Sequence, residues 1–559
     1  MDSQSIDEAL CVLKAHKDAW VRLPAARRVE YVQGVIDGYL RAAARQVEAA
    51  NRAKGVPPDT PMAGEEWTHP YLIVRTLRLL RDTLQQIAQF GKPIFPRRRL
   101  RTRPNGQVVA QVFPLSMADR VLYPGFRGEI WMQPEVTLQN VGDHMARPYR
   151  QVETVGKAAL VLGAGNVAAI GPTDLAQKLF VEGQVCMFKH HPVNEYLAPF
   201  LEEAFGELMR DGYMRTCSGG PEVGEYLCQH PDVDEIHLTG SDRTYEAIVF
   251  GTGAEGVERM RNNQTRLTKR ISCELGNVTP VIVLPGPWSN SDIAFHAENI
   301  ATQVVNNCGF NCLSARVLVT HEGWPHSEDL MRALRTLLAS VPQRPAYYPG
   351  TEKRYDELLA ANPGGQPLGP RADGVIPYAL IPRIAPTDRR NPCFATECFV
   401  PVLAQTSLPG ADPAEFLRNA VEFCNESLWG TLCANIILHP QTARALGSEL
   451  EDAIAELRYG TIALNQWSAM GYVWGSTSWG GFPGSTPGNI QSGIGVVHNT
   501  FMFDLPEKSV VYGPFRMWPK PAWFVTNRQM GGIFSRATEL EGAPSVSKAL
   551  HVALLALGG

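Results

Sequence analysis

The chain of 559 residues lacks paired cysteines, a strong excess of either charge and long apolar runs. Its 11 cysteines form no paired Cys-x-x-Cys motifs, which predicts neither a disulfide framework nor a structural zinc site. No stretch approaches the apolar length that spans a bilayer, and the first twenty residues lack the apolar segment of a secretory signal. A net charge of −4 gives no reason to expect nucleic acid as a partner. These absences favour a cytoplasmic globular protein with reduced thiols.

Short apolar runs alternate with helical segments from residue 151 onward, beginning with AALVLG and PTDLAQKLFVEG. This alternation is typical of βαβ units, in which helices cover both faces of a parallel sheet. A second alternating region extends from about residue 274 to 465. Two such regions predict two α/β domains with a cleft between them, because ligands bind beyond the carboxyl ends of parallel strands.

Cys312 stands in a glycine-containing turn just before an apolar strand, within NNCGFNCLSARVLV. A thiolate is a strong nucleophile when its surroundings lower the pKa of the thiol. For a lone cysteine, a buried structural role would be the better interpretation, so the hypothesis depends on other parts of the chain. Cys308 is a rival nucleophile four residues earlier.

Three further turns carry groups suited to related chemistry. Glu274, in SCELGNVTP, could serve as a general base, although a solvated or capping glutamate is the alternative. Asn166, in VLGAGNVAAI, could donate to an oxyanion or could simply stabilise its turn. HLTGS, at residues 237–241, lies between a strand and a helix, where backbone N–H groups can hold a phosphate.

Taken in order, these segments resemble the motifs of the aldehyde dehydrogenase superfamily over roughly residues 150–500. The family's Gly-Gln-x-Cys motif is matched by GFNC at 309–312, followed by Arg316. Its other motifs are matched by ELGN at 274–277, LTGS at 238–241, ECFVP at 397–401 and the lysine strand QVCMFKHHP. The resemblance implies an α/β fold with a Rossmann-type cofactor domain, an α/β catalytic domain and a small oligomerisation β-arm.

What the resemblance implies about function is the oxidation of a small aldehyde to a carboxylic acid with NAD or NADP. Cys312 would attack the carbonyl, the Asn166 amide and the Cys312 backbone N–H would stabilise the oxyanion, and Glu274 would activate water. It assigns coenzyme contacts to Lys189, Gly220, Gly224, Gly240, Ser241, Glu397 and Phe399. It implies no metal, and His190 and His191 lack a second ligand pair.

The chain departs from the family pattern near these residues. Gly165 stands where the family has an aromatic residue, Phe310 replaces glutamine, and one residue is missing between Cys312 and Arg316. Pro192 replaces the acidic residue that often holds the ribose of NAD, so the choice between NAD and NADP stays open. Two alternative functions therefore remain, a coenzyme-A-acylating relative and a non-catalytic nucleotide-binding scaffold.

The resemblance also divides the chain. It predicts a cofactor-binding domain at 1–110 and 151–273, a catalytic domain at 274–470, oligomerising or bridging segments at 111–150 and 471–514, and a C-terminal extension at 515–559. We therefore expect a homodimer or homotetramer.

The C-terminal extension and two other segments have sequence patterns that indicate their roles less specifically. The apolar segment VSKALHVALLAL favours docking on the chain's own surface or on a partner subunit, and membrane contact is the less favoured alternative. The arginine run PRRRLRTRP indicates a solvated loop, with an anion site as the alternative. A packed aromatic cluster is expected of Trp467, Trp474, Trp479 and Phe482, although they could also line a tunnel for a large apolar aldehyde.

Overall fold

Two β-sheets organise the chain in the computed structural model, which describes residues 3–150 and 155–559. The expected domain boundary at 151 lies outside these described residues. The strands are β1 (Leu100–Thr102), β2 (Val108–Phe113), β3 (Arg127–Met132), β4 (Ala158–Leu162), β5 (Val185–Lys189), β6 (Met214–Cys217), β7 (Glu235–Gly240), β8 (Arg270–Leu275), β9 (Thr279–Val283), β10 (Ala315–His321), β11 (Gln366–Leu368), β12 (Tyr378–Ile381), β13 (Val402–Leu408), β14 (Cys433–Ile437), β15 (Thr461–Leu464), β16 (Gly493–Ile494) and β17 (Pro506–Tyr512).

Helices surround both sheets and account for most of the remaining ordered backbone. They are α1 (Ser3–Arg22), α2 (Ala25–Ala53), α3 (Thr68–Phe90), α4 (Met117–Leu122), α5 (Arg147–Arg150), α6 (Ile170–Ala176), α7 (Ala198–Ala204), α8 (Gly206–Arg210), α9 (Pro221–Gln229), α10 (Asp242–Val249), α11 (Gly253–Arg261), α12 (Asn290–Val305), α13 (His326–Ser340), α14 (Thr351–Ala361), α15 (Pro392–Ala395), α16 (Pro413–Ser427), α17 (Pro440–Leu446), α18 (Ser448–Glu456), α19 (Ala469–Val473), α20 (Met530–Gly542) and α21 (Val546–Ala556). Within residues 3–150 and 155–559, no helix is both long and apolar enough to cross a membrane.

The smaller sheet has the strand order β16-β8-β7-β4-β5-β6, and only β16 runs antiparallel to its neighbour. Strands β4 and β5 are buried along their whole length, as expected for a sheet covered on both faces. The chain leaves β4 toward β5 and later returns to β7 on the other side. This reversal opens a crevice beyond the carboxyl ends of β4 and β7, which is where open α/β sheets bind ligands.

The larger sheet has the order β1-β2-β3-β17-β15-β14-β9-β10-β13-β12-β11. Its β9, β10, β13, β14 and β15 are parallel, and the amino ends of β10 and β13 follow the two motif segments at 309–312 and 397–401. The amino ends of these strands face the carboxyl ends of the smaller sheet, so the two sheets enclose one cavity.

The two sheets do not follow the expected domain boundaries in three places. Residues 100–110 were expected in the cofactor-binding domain, but β1 and β2 belong to the larger sheet. Glu274 was expected to open the catalytic domain, but β8 carries it in the smaller sheet through Leu275. Strands of the expected arm, β3 and β17, pair with each other and extend the chain's own larger sheet through β15, because their backbone groups find partners there.

The C-terminal extension packs on the chain itself. Helix α20 lies against α3, and Glu541 at its end accepts hydrogen bonds from Arg75 (2.6 Å) and Arg78 (2.6 Å). Arg75 also pairs with Asp119 of α4 at 2.9 Å. This buried ion network joins α3, α4 and α20, and α21 then packs beside α4.

Candidate active site

One cavity of about 1030 Å³ lies between the two sheets. All ten residues that the sequence analysis nominated line it, including those expected to bind coenzyme. They are Asn166, Lys189, Gly220, Gly224, Gly240, Ser241, Glu274, Cys312, Glu397 and Phe399. The convergence of residues so distant in sequence follows from the topology, because they stand at the facing ends of strands, in the turns beside them or, for Gly224, in helix α9.

The thiol of Cys312 faces the carboxyl group of Glu274. Burial raises the pKa of Glu274 to about 8, while hydrogen bonding from Cys312 opposes part of that rise. Burial also raises the pKa of Cys312 well above its ordinary value, and the charges of Glu274 and Glu397 raise it further. The sulfur of Cys312 therefore holds its proton more strongly than the carboxyl group of Glu274 does, so Glu274 ionises before Cys312.

Cys308 does not line the cavity. It is buried, its sulfur points toward the carbonyl of Arg344, and burial raises the pKa of its thiol to about 12. Asn307 and Cys308 both have left-handed backbone, with φ of 49° and 55°. A strained turn of this kind redirects the chain so that Cys312, rather than Cys308, reaches the cavity.

Asn166 follows β4 and is largely buried beside Cys312. Its Nδ2 donates to the carbonyl of Phe310 at 2.9 Å, which leaves one N–H of the amide for another acceptor. Its backbone carbonyl accepts from Tyr347 (3.1 Å) and from the buried Lys54 (3.3 Å). Lys54, which the sequence analysis missed, pairs with Glu66 at 2.7 Å and so connects α2 to the turn that carries Asn166.

His191 explains why the chain has Gly165 where the family has an aromatic residue. A Cβ at Gly165 would overlap the His191 ring, so the imidazole fills the space and glycine is required opposite it. His191 lies near Tyr348 in a stacked arrangement, with ring centroids 6.3 Å apart. Burial lowers the pKa of His191 to about 4, so the ring is neutral at physiological pH.

Phe310, which replaces the family's glutamine, is also part of an aromatic wall. Its ring lies 5.6 Å from that of Tyr348 and 5.8 Å from that of Phe399. Tyr348 and Phe399 line the cavity, and their rings are 5.0 Å apart. The departures at 165 and 310 therefore belong to one compensating rearrangement of aromatic side chains.

The opposite part of the cavity has the features of a nucleotide cradle. Gly220 precedes α9, and the Ser241 side chain caps α10 by accepting from the N–H of Thr244 at 3.1 Å. Helix amino ends of this kind favour phosphate groups. Lys189, at the end of β5, reaches the carbonyl of Gly219 at 2.6 Å, and the absence of a side chain at Gly224 leaves room beside it.

Glu397 enters the same cavity from the larger sheet. Its carboxylate accepts from the backbone N–H of Asn277 at 3.3 Å, and a Cβ at Gly276 would overlap it. Burial raises the pKa of Glu397 to about 7, and the charge of Arg316 lowers it in part. Glu397 thus stands at the junction of the nucleotide cradle with the Cys312 end of the cavity.

A buried polar cluster behind Glu274 was not foreseen from the sequence. Asp174 accepts from Thr239 at 2.9 Å and lies 3.4 Å from His237 and 3.3 Å from His498. Burial acts to raise the pKa of Asp174, but His237 and His498 outweigh this effect and lower the pKa to about 2. Thr239 is the strand neighbour of Glu274, and the charge of Asp174 contributes to the raised pKa of Glu274.

The four aromatic residues at 467–482 divide between two roles. Trp474 stacks on Phe113 with centroids 3.9 Å apart, and Trp467 donates to the Leu313 carbonyl at 2.9 Å, so both pack in the core. Trp479 faces the Glu274 carboxyl group, and Phe482 lies below the ammonium of Lys508.

Among the described ranges 3–150 and 155–559, no group of three or more His, Cys, Asp and Glu side chains is placed to hold a metal ion.

Comparison with known proteins agrees with this geometry. A model of the aldehyde dehydrogenase family matches residues 174–352, a range that includes Glu274, Cys312 and most of the nucleotide cradle. Aldehyde dehydrogenase LUC3 of Fusarium sp is 26% identical over 320 residues, covering 54% of this chain and 64% of that protein. 1-Pyrroline-5-carboxylate dehydrogenase 2 of Bacillus subtilis is 26% identical over 275 residues, covering 47% and 48%. The chain thus spans about half to two thirds of the length of these curated relatives.

Solved structures resemble the whole fold. The NADP-dependent glyceraldehyde-3-phosphate dehydrogenase of Bacillus halodurans, complexed with NADP, matches with a TM-score of 0.61, 17% identity and 91% coverage of each chain. The NAD-dependent aldehyde dehydrogenase of Sinorhizobium meliloti matches with a TM-score of 0.61 and 18% identity, covering 93% of this chain and 88% of that one. The fold is therefore the α/β fold of aldehyde dehydrogenases. The family model over residues 174–352 and the curated relatives are likewise those of the aldehyde dehydrogenase family.

Proposed function

We propose that this protein oxidises a small aldehyde to a carboxylic acid with NAD or NADP as the oxidant. The observation that carries the proposal is the meeting of the Cys312 thiol and the Glu274 carboxyl group at one end of the nucleotide-sized cavity. A nucleophile and a base in contact are the minimum that covalent catalysis by a thiol requires.

Cys312 and Glu274 share the steps of the proposed reaction. Ionised Glu274 takes the proton of Cys312, whose thiolate adds to the aldehyde carbonyl and forms a thiohemiacetal. The free N–H of the Asn166 amide and the backbone N–H of Cys312 are the donors available to the developing oxyanion. After oxidation, a thioester remains on Cys312, and Glu274 deprotonates the water that releases the acid.

The residues of the cradle fit a nicotinamide dinucleotide, which supplies the hydride acceptor when it is bound. Lys189 and the two helix amino ends offer a cation and backbone donors, and Glu397 offers a carboxylate to ribose hydroxyls. Relatives of this fold include one named NADP-dependent and one named NAD-dependent. Pro192 in place of an acidic residue removes the repulsion that would exclude a 2′-phosphate, which makes NADP as suitable as NAD.

The test is an aldehyde panel with each coenzyme, run on the wild type, on Cys312→Ala and on Cys308→Ala as a matched cysteine control. We expect NADH or NADPH formation by the wild type and by Cys308→Ala, and none by Cys312→Ala. Strict dependence on added coenzyme A would replace hydrolysis with thiol transfer as the second half-reaction. No coenzyme reduction with any aldehyde, despite measured coenzyme binding, would favour the non-catalytic scaffold.

We also propose that the protein is a cytoplasmic homo-oligomer. The proposal of an oligomer rests on the family resemblance, because the strands β3 and β17 of the expected arm pair with each other within one chain. Light scattering at micromolar concentration tests this directly, and a monomeric mass would contradict it. Fractionation of the producing cells, followed by immunodetection, tests the location.

A further inference from the structure

Helix α21 buries one side and exposes a continuous apolar stripe on the other. Ala549 and Val552 pack into the core, whereas four large apolar side chains point outward. These are Val546 (79% exposed), Leu550 (55%), Leu554 (66%) and Leu557 (53%). Residues three or four apart lie on the same side of a helix, so the four form one row. Because the helix is held by its inner side, the outer row is fixed in place and uncovered.

Helix α4 extends this stripe. Its Ala118 and Leu122 pack in the same core as the inner side of α21, and the two helices are in contact. On the outside of α4, Met117 is 73% exposed and Val121 is 45% exposed. The two helices thus present one surface of six exposed apolar side chains, which we call the α4–α21 face. Soluble monomers rarely expose so many large apolar groups together without a partner.

Unpaired arginines border this face. Arg120 lies on α4, exposed between Met117 and Val121, and Arg97 and Arg98 lie exposed in the arginine run of residues 96–104. Arg99 brings the two segments together, because it donates to the Pro114 carbonyl at 2.8 Å just before α4. Burial lowers the pKa of Arg99, and the charges of Arg98 and Arg120 lower it further, whereas the charge of Asp119 raises it.

The carboxylates near this face already form ion pairs with other arginines. Asp119 and Glu541 are buried against Arg75, and Glu539 pairs with Arg536 at 2.8 Å. Within residues 3–150 and 155–559, Arg97, Arg98 and Arg120 have no ion-pair partner. Residues 515–559 carry five basic and two acidic side chains, although the whole chain has a net charge of −4.

From the shared surface of these apolar and cationic groups, we infer that the α4–α21 face docks on an anionic lipid bilayer. An interfacial helix of this kind buries its apolar row at the boundary of headgroups and acyl chains, while neighbouring arginines meet lipid phosphates and carboxylates. Trp518, 81% exposed in the same C-terminal extension, is a residue type that favours the membrane interface.

A second copy of the chain is a poorer occupant of this surface. A twofold interface would place the same patch on both sides, so the arginines would be covered by a surface that is itself cationic. The carboxylates named above already pair with other arginines and would not be free to pair with Arg97, Arg98 or Arg120. A bilayer rich in anionic lipid supplies an apolar interior for the exposed apolar side chains and negative charge for the arginines.

The test is flotation of the full chain with vesicles of phosphatidylcholine alone and of equimolar phosphatidylcholine and phosphatidylserine. We expect binding to the anionic vesicles only, weakening as salt is added. Arg98→Glu/Arg120→Glu should lower the partition constant by roughly 30-fold or more, because each arginine contributes about fivefold near an anionic surface. Leu550→Ser/Leu554→Ser should lower it by at least about tenfold.

Matched controls keep the test specific. Leu138→Ser/Val257→Ser removes exposed apolar residues elsewhere, and Arg41→Glu reverses an exposed charge on α2. Both controls should bind vesicles like the wild type, and thermal unfolding should show that every variant is folded. The inference is overturned if the wild type stays unbound with anionic vesicles, or if the controls lose as much binding as the face variants. A dimer that Leu550→Ser/Leu554→Ser dissociates would also overturn it, because a second copy would then cover the face.

Discussion

Glu274 provides the sharpest test of the proposed chemistry, because its environment predicts both the size and the pH dependence of its effect. Burial raises the pKa of this carboxyl group to about 8. A general base acts in its ionised form, so activity should rise as pH increases through that pKa. At pH 7 about one tenth of Glu274 is ionised and at pH 9 about nine tenths, which predicts a roughly tenfold rise in rate.

Replacement of the carboxylate should remove that rise. We expect Glu274→Gln to lower the hydrolytic rate by about 10²- to 10⁴-fold, the usual contribution of a positioned base. The assay is rapid-quench measurement of NADH or NADPH, in which the burst reports thioester formation and the steady state reports its hydrolysis. The reasoning would be refuted by a flat steady-state profile between pH 7 and 9 in the wild type, or by a variant that hydrolyses at the wild-type rate.

Three other changes test the structure around the site. Asp174→Asn removes a buried negative charge behind Glu274, so the rising part of the pH profile should move to lower pH; an unmoved profile in a folded variant would contradict the coupling. Gly165→Ala should lower aldehyde oxidation by displacing His191, at a cost of about 1–3 kcal/mol, and the further change His191→Ala should restore part of the loss. Glu541→Ala should lower the free energy of unfolding by about 3–5 kcal/mol in urea denaturation, because it leaves two arginines without their shared buried partner. Glu539→Ala, which breaks only an exposed pair on the same helix, should change it by less than about 1 kcal/mol.

The sequence carried much of this arrangement in its strand and turn patterns. Glu274 and Lys189 stand at the carboxyl ends of buried apolar strands, where the positions of a parallel sheet converge, and Cys312 stands just before the amino end of another strand. The class of fold was therefore predictable and is confirmed by the structural relatives. The domain boundaries were less accessible, since β1, β2 and β8 are too short or too similar in composition to reveal which sheet they join.

Side chains that act across the fold could not be predicted from local patterns. His191 and Gly165 are far apart in sequence, and only their meeting in space explains why the glycine replaces an aromatic residue. Asp174 and His498 are separated by more than half the chain, and neither lies in a recognisable motif. Lys54 follows helix α2, whose apolar pattern gives no sign of a contact between Lys54 and the Asn166 carbonyl.

In the proposed mechanism, the electrostatics of the Cys312 site would give Glu274 a dual role. The nearest ionisable neighbours of the thiol are two carboxyl groups and another buried cysteine, and each of them raises its pKa. A thiolate therefore cannot form beside an already charged Glu274 without cost, but it can form as Glu274 takes up the proton. The glutamic acid produced by that transfer is neutral, which relieves the repulsion during attack on the aldehyde. Its later ionisation would prepare the same carboxylate for the proposed hydrolysis of the thioester, so that both half-reactions would share one proton-carrying group.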